Sequence, residues 1–97
     1  MKTQKPPAAL TVLTPFEEKY LAAAMATQRD EITEYHVYTR LAKICGDSRN
    51  AEVLASIANA ELRHAAYWKS KTGLAIKPDR FRVWRVLLEA RVLGLTF

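Results

Sequence analysis

Apolar and polar positions along the chain recur with the period of an α-helix in three stretches, and cap and stop signals separate them. Thr14-Pro15-Phe16-Glu17 reads as a capping box, with Pro15 at the first helical position. The first helix is predicted from there to Ile44 or Cys45, stopping at Gly46. Asp47 or Ser48 then caps a second helix running to about Lys71, with Thr72-Gly73 as its stop. So short a connection implies an antiparallel helical hairpin. Leu74 to Pro78 reads as a linker, and Asp79 as the cap of a third helix from about Arg80 to Leu93. The organisation expected is a flexible leader over 1–13, a helical hairpin over 14–73, and a linker with an amphipathic helix over 74–97.

Placing side chains at about 100° per residue shows where each helix expects its neighbours. On the first helix, Tyr20, Ala24, Thr27, Gln28, Tyr35, Tyr38, Ala42 and Cys45 cluster around the direction of Glu31, with Glu34 slightly to one side. Arg29, Thr33, His36, Arg40 and Lys43 are expected to point away. On the second, Leu54, Ile57, Ala58, Ala65 and Trp68 surround Glu61, with His64 adjacent, while Asn59, Arg63 and Ser70 take the far side. A carboxylate therefore falls on the apolar stripe of each helix. Burying an ionised carboxylate without a partner is costly, so Glu31 and Glu61 must share a cation or a proton. The third helix carries the stripe Phe81, Trp84, Leu88, Val92 and Leu95, and Val83, Val86, Leu87 and Leu93 widen it beyond what a surface helix needs. That width suits either packing in an oligomer or a membrane interface.

Ninety-seven residues make one domain, and two helices enclose too little core to stand alone, so association is expected. A single cysteine excludes an internal disulfide framework and fits a reducing compartment. Neither a signal peptide nor a run of eighteen apolar residues is visible, so a cytoplasmic setting is expected, at a membrane surface or inside a protein compartment. The net charge of +5 is concentrated late, where Arg80, Arg82, Arg85 and Arg91 face one Glu89. This is either a solvated face or a surface for anionic lipid or an acidic partner. Nucleic acid is not an expected partner, because no nucleic-acid motif occurs.

Glu61-Leu62-Arg63-His64 places a carboxylate and an imidazole on neighbouring positions of one helix, able to ligate one metal ion. Carboxylate-bridged centres in four-helix bundles use a Glu from each of two helices and a Glu-x-x-His from each of the other two. This chain carries half that set, and a second copy related by a two-fold axis would complete it. Glu31, Glu61 and His64 are the expected ligands of a di-iron or di-manganese pair, and zinc would also bind. Glu34 is either a further ligand, part of a cation entry site with Asp30, or an acidic residue near an arginine at a dimer edge. Tyr38 either hydrogen-bonds a ligating group or is a core tyrosine. His36 is expected at the surface, Cys45 as a small core residue, and Trp68 and Trp84 in packing. The rival to metal is a buried Glu–His pair across a dimer.

The strings Glu31-x6-Tyr38-x2-Leu41-Ala42 and Ile57-Ala58-x2-Glu61-x2-His64 resemble the ferritin-like superfamily, in particular rubrerythrin-like hairpins, over residues 15–73. A single hairpin with one Glu, one Tyr and one Glu-x-x-His is similar to the encapsulated ferritins. The resemblance implies an all-α homodimer or higher oligomer forming a ferritin-like four-helix bundle. A di-iron ferroxidase centre would lie between protomers, with Glu31, Glu61 and His64 as ligands and Tyr38 nearby. The later segment, Trp68-x3-Thr72-Gly73, Lys77-Pro78 and Ala90 to Phe97, looks like the stretch that joins such a domain to a vacuolar-iron-transporter-family membrane protein. It implies a membrane transporter domain, or alternatively an encapsulating shell, as partner. The chain lacks the rubredoxin-type Cys-x-x-Cys of typical rubrerythrins and any transmembrane part. Its activities remain three at this point: Fe(II) oxidation, non-catalytic iron sensing or delivery, and purely structural dimerisation.

Overall fold

A computed structural model describes residues 14–93, which form helices α1 (Pro15–Ile44), α2 (Ser48–Thr72) and α3 (Arg80–Val92). The leader over 1–13 and Leu95 lie outside the described residues. No described helix is long and apolar enough to cross a membrane.

The local signals act where expected. Thr14 N–H donates to Glu17 Oε1 at 3.0 Å and Glu17 N–H to Thr14 Oγ1 at 3.1 Å, closing the capping box. Glu17 and Glu18 lie in the first turn of α1 and Lys43 in the last, each complementing the helix dipole. At Cys45 the backbone turns extended and ends α1. Asp47 caps α2 by accepting from Asn50 N–H at 2.9 Å, and Asp79 caps α3 by accepting from Arg82 N–H at 3.1 Å.

Gly73 ends α2 in the left-handed region at φ 72°, with its N–H bonded to Lys69 O. A Cβ there would meet no atom within 4 Å, so substitution brings backbone strain alone. Gly73→Ala is expected to cost about 1–2 kcal/mol in urea unfolding. Gly46, also open around its Cα but without positive φ, should tolerate alanine within about 0.5 kcal/mol.

α1 and α2 run antiparallel: Gln28 meets Thr72 while Glu31, further along α1, meets His64, earlier on α2. Alanines line much of their seam, with Ala24, Ala58 and Ala65 all buried. At the open end of the hairpin a buried polar clasp replaces apolar packing. Thr72 Oγ1 donates to Gln28 Oε1 at 2.7 Å, and Gln28 Nε2 donates to Leu74 O at 2.7 Å. Every polar atom of the clasp that lacks water thus gains a partner.

α3 folds back onto α1 and corrects two placements. Thr33, expected to point outward, is fully buried, and its Oγ1 accepts from Asp79 N–H at 2.8 Å. His36, expected at the surface, is half-buried beside α3. Burial lowers its pKa, assisted by the positive charges of Arg40 and Arg80. The reason for both differences is a second packing face on α1. Val37 and Leu41 on that face form an apolar cluster with Val83 and Ala90 of α3, joined by Tyr38, Leu54, Val86 and Leu87. The extra apolar width of α3 is therefore spent on α1, and Phe81, Trp84, Leu88 and Val92 remain exposed. Tyr20, expected on the inner stripe, is 55% exposed.

Candidate metal centre

Glu31 stands midway along α1, opposite the Glu61–His64 turn of α2, and one donor atom from each of the three lies within 4.8 Å of the others. His64 Nδ1 is 3.4 Å from Glu61 Oε1 and 3.8 Å from Glu31 Oε2. The helix arithmetic explains Glu61 and His64, three residues apart on one face. Antiparallel pairing brings in Glu31. The donor spread is somewhat wider than the roughly 3.4 Å edge of a tetrahedron with ligand distances of about 2.1 Å.

Exposure is graded across the cluster. The side chains of Glu31 and Glu61 are 21% and 19% exposed, whereas His64 is 59% exposed. The cluster is thus closed on the α1–α2 side and open beyond His64. Within it, Glu31 Oε1 is buried with no hydrogen-bond partner. An orphaned buried carboxylate oxygen is destabilising unless a proton or a cation reaches it. Accordingly the pKa of Glu31 is raised: burial is the main cause, the charges of Glu61 and Asp30 add to it, and His64 opposes it.

Glu34, one turn after Glu31, reaches the same cluster from its side. Its pKa is raised by burial first, then by the charge of Glu61 and a carboxyl hydrogen bond to Glu61, with Arg82 opposing. Arg82 of α3 donates to Glu34 Oε2 at 3.4 Å and to Asp30 Oδ1 at 3.1 Å. Of the alternatives for Glu34, an acidic residue near an arginine is thus what the structure shows, with the Arg82 guanidinium in the place of a cation entry site between Asp30 and Glu34. This partner is visible in the sequence only as one of several arginines in α3. Tyr38 lies two turns beyond Glu31 and packs against the Val37–Leu41–Val83–Ala90 cluster. Cys45, a half-buried free thiol, donates to Asp47 O at 3.4 Å beside the interhelix turn, remote from these ligands in the chain.

The chemistry of the donor set is that of a site for a hard or borderline divalent ion: two carboxylates and an imidazole, with a third carboxylate adjoining. Three ligands from one chain leave coordination positions open toward solvent. Matched against models of known protein families, curated proteins and solved structures, the chain finds no counterpart. The site's own geometry therefore carries the functional reading.

Proposed function

We propose that Glu31, Glu61 and His64 bind iron, and that a second copy of the chain brings the same three residues to the open side, forming a di-iron centre with ferroxidase activity. The observation that carries this reading is the convergence of donors from Glu31, Glu61 and His64 at one place, with the buried Oε1 of the Glu31 carboxylate left without a partner. A cation would neutralise the Glu31 carboxylate, remove its repulsion with Glu61, and use the His64 ring nitrogen that lies 3.4 Å from Glu61 Oε1 and 3.8 Å from Glu31 Oε2. Glu34 is placed to shift from its carboxyl contact with Glu61 to the ion, with Arg82 holding its other side.

The second copy is supported by what the hairpin leaves uncovered. Ile57 lies one turn from Glu61 and Tyr20 three turns from Glu31, on the same helix faces, and they are 36% and 55% exposed. Covering them would complete an apolar surround for the site and a four-helix bundle. In the reaction, Fe(II) is the substrate. Two ions lose one electron each to oxygen or to a peroxide: oxygen would take the two electrons with two protons to give hydrogen peroxide, and hydrogen peroxide would take them with two protons to give two waters.

A second reading rests on the His64 contacts themselves. Protonated His64 between Glu31 and Glu61 would make a metal-free, proton-linked network at the interface of a structural dimer. Native mass spectrometry after anaerobic Fe(II) addition separates the two. The expected result is two irons per dimer in the wild type and none in Glu61→Ala. Oxygen or peroxide consumption on adding Fe(II) then separates oxidation from iron sensing or delivery. A metal-free dimer of unchanged stability would leave only the proton-linked interface.

A further inference from the structure

The face made by α3 and the adjoining part of α1 is both apolar and cationic. Phe81, Trp84 and Leu88 are 67%, 57% and 43% exposed, one helical turn apart along a single ridge of α3. The Phe81 and Trp84 rings lie 5.7 Å apart between centroids. Two clefts of about 400 and 530 Å³ flank Trp84 and share it, Leu87 and Arg40 as lining. The first adds Lys43 and Arg91, the second Lys77 and Arg80. Among the described residues no carboxylate lines either cleft. Arg82 and Arg85, by contrast, are engaged by carboxylates of Asp30, Glu34 and Glu89 and turn their charge inward or along α3.

Charge decides what can cover this face. A two-fold contact between copies would set this face, with Arg40, Lys43 and Arg91 and no lining carboxylate, against an identical cationic face, and like charges brought together oppose association. The occupant must be anionic. Shape decides between a peptide and a bilayer. A peptide helix needs a groove with two apolar walls, but the α1 wall supplies Arg40, Lys43 and only Ile44 as an apolar residue. A ridge of aromatic and aliphatic side chains flanked by long cations is instead the form that lies in a membrane interface, apolar side inward and guanidinium groups at the phosphates.

We propose that this face docks on a membrane surface bearing anionic lipid. Phe81, Trp84 and Leu88 enter the headgroup boundary, and Arg40, Lys43 and Arg91 meet lipid phosphates in the clefts beside Trp84. The proposal is independent of the metal centre, whose residues take no part in it.

The test is flotation of the full chain, without metal, on phosphatidylcholine vesicles with and without phosphatidylserine. Binding is expected only with phosphatidylserine, falling as salt rises, with a blue shift of tryptophan emission retained in Trp68→Phe. Arg40→Gln and Arg91→Gln are each expected to weaken partition about fivefold, and Trp84→Ala about tenfold. These side chains are exposed, and the helical circular dichroism of each variant reports that the fold is kept. Equal binding to phosphatidylcholine alone, or partition unchanged in the arginine variants, overturns the proposal. So does binding to polyglutamate without partition onto vesicles, and so does self-association lost in Trp84→Ala where vesicles are not bound.

Discussion

Glu31→Gln is expected to stabilise the metal-free protein at neutral pH while abolishing its stabilisation by a divalent ion. The glutamine keeps the shape of the side chain and removes the buried charge that has no partner at Oε1. In the wild type the folded pKa values of Glu31 and Glu34 are raised above the ordinary 4.5. A raised carboxyl contributes stability that is fully present below its unfolded pKa and lost as pH rises through the folded pKa. The metal-free wild type should thus gain from these groups as pH falls from neutrality toward 4.5, and the gain from Glu31 should vanish in the variant. His36 works in the opposite sense, since its folded pKa lies below 6.5 and acid favours its unfolded, charged form. The difference between wild type and Glu31→Gln cancels that shared contribution. Metal acts on the same carboxyl group from the other direction, because it requires the deprotonated form. At zinc about a hundredfold above its dissociation constant, the wild type should gain about 2.7 kcal/mol, and Glu31→Gln essentially nothing. Thermal melts of chelator-treated protein with and without zinc decide the matter. A variant that melts lower than wild type without metal, and rises equally with zinc, would refute both the strained carboxylate and the site.

Thr33→Val carries the other large effect, and it concerns how α3 is held. Thr33 is completely buried, and its hydroxyl accepts the backbone N–H of Asp79, the residue that caps α3. Valine preserves the volume and leaves that N–H without an acceptor. The expected cost is about 1–3 kcal/mol in chemical unfolding, together with loosening of the linker, which Gln28 and Arg29 also hold through Leu74 O and Lys77 O. Protection of the Asp79 and Arg82 amides against hydrogen exchange should fall in parallel. A change within about 0.5 kcal/mol would show that α3 is fastened by its apolar contacts alone.

α3 also bears on the metal centre. Arg82 restrains Glu34, and Glu34 contacts Glu61, so the third helix reaches the ligand cluster through one carboxylate. Freeing Glu34 from the guanidinium would remove the charge that opposes its raised pKa. Loosening α3 is thus expected to change the proton affinity of Glu34 before it changes the positions of Glu31, Glu61 or His64.

The limits of the three helices follow from local chemistry and were readable residue by residue. Thr14, Asp47 and Asp79 satisfy orphan amides three positions ahead, and Gly73 takes a conformation that other residues resist. The meeting of Glu31 with Glu61 and His64 was also readable, since a three-residue spacing fixes the angle between side chains on a helix and a short turn forces antiparallel pairing. Which neighbour covers each remaining face of α1 was not readable. Helical periodicity assigns a direction to Thr33, Val37 and Leu41 but says nothing of what lies in that direction, and α1 offers apolar or small residues on more than one side. Only the return of α3 buried Thr33, desolvated His36, placed Arg82 between Asp30 and Glu34, and left Phe81, Trp84 and Leu88 outside. Spacing along a helix is a local, short-range constraint. The choice among competing faces is a sum of weak contacts between segments far apart in the chain, and it exists only once the chain has closed on itself.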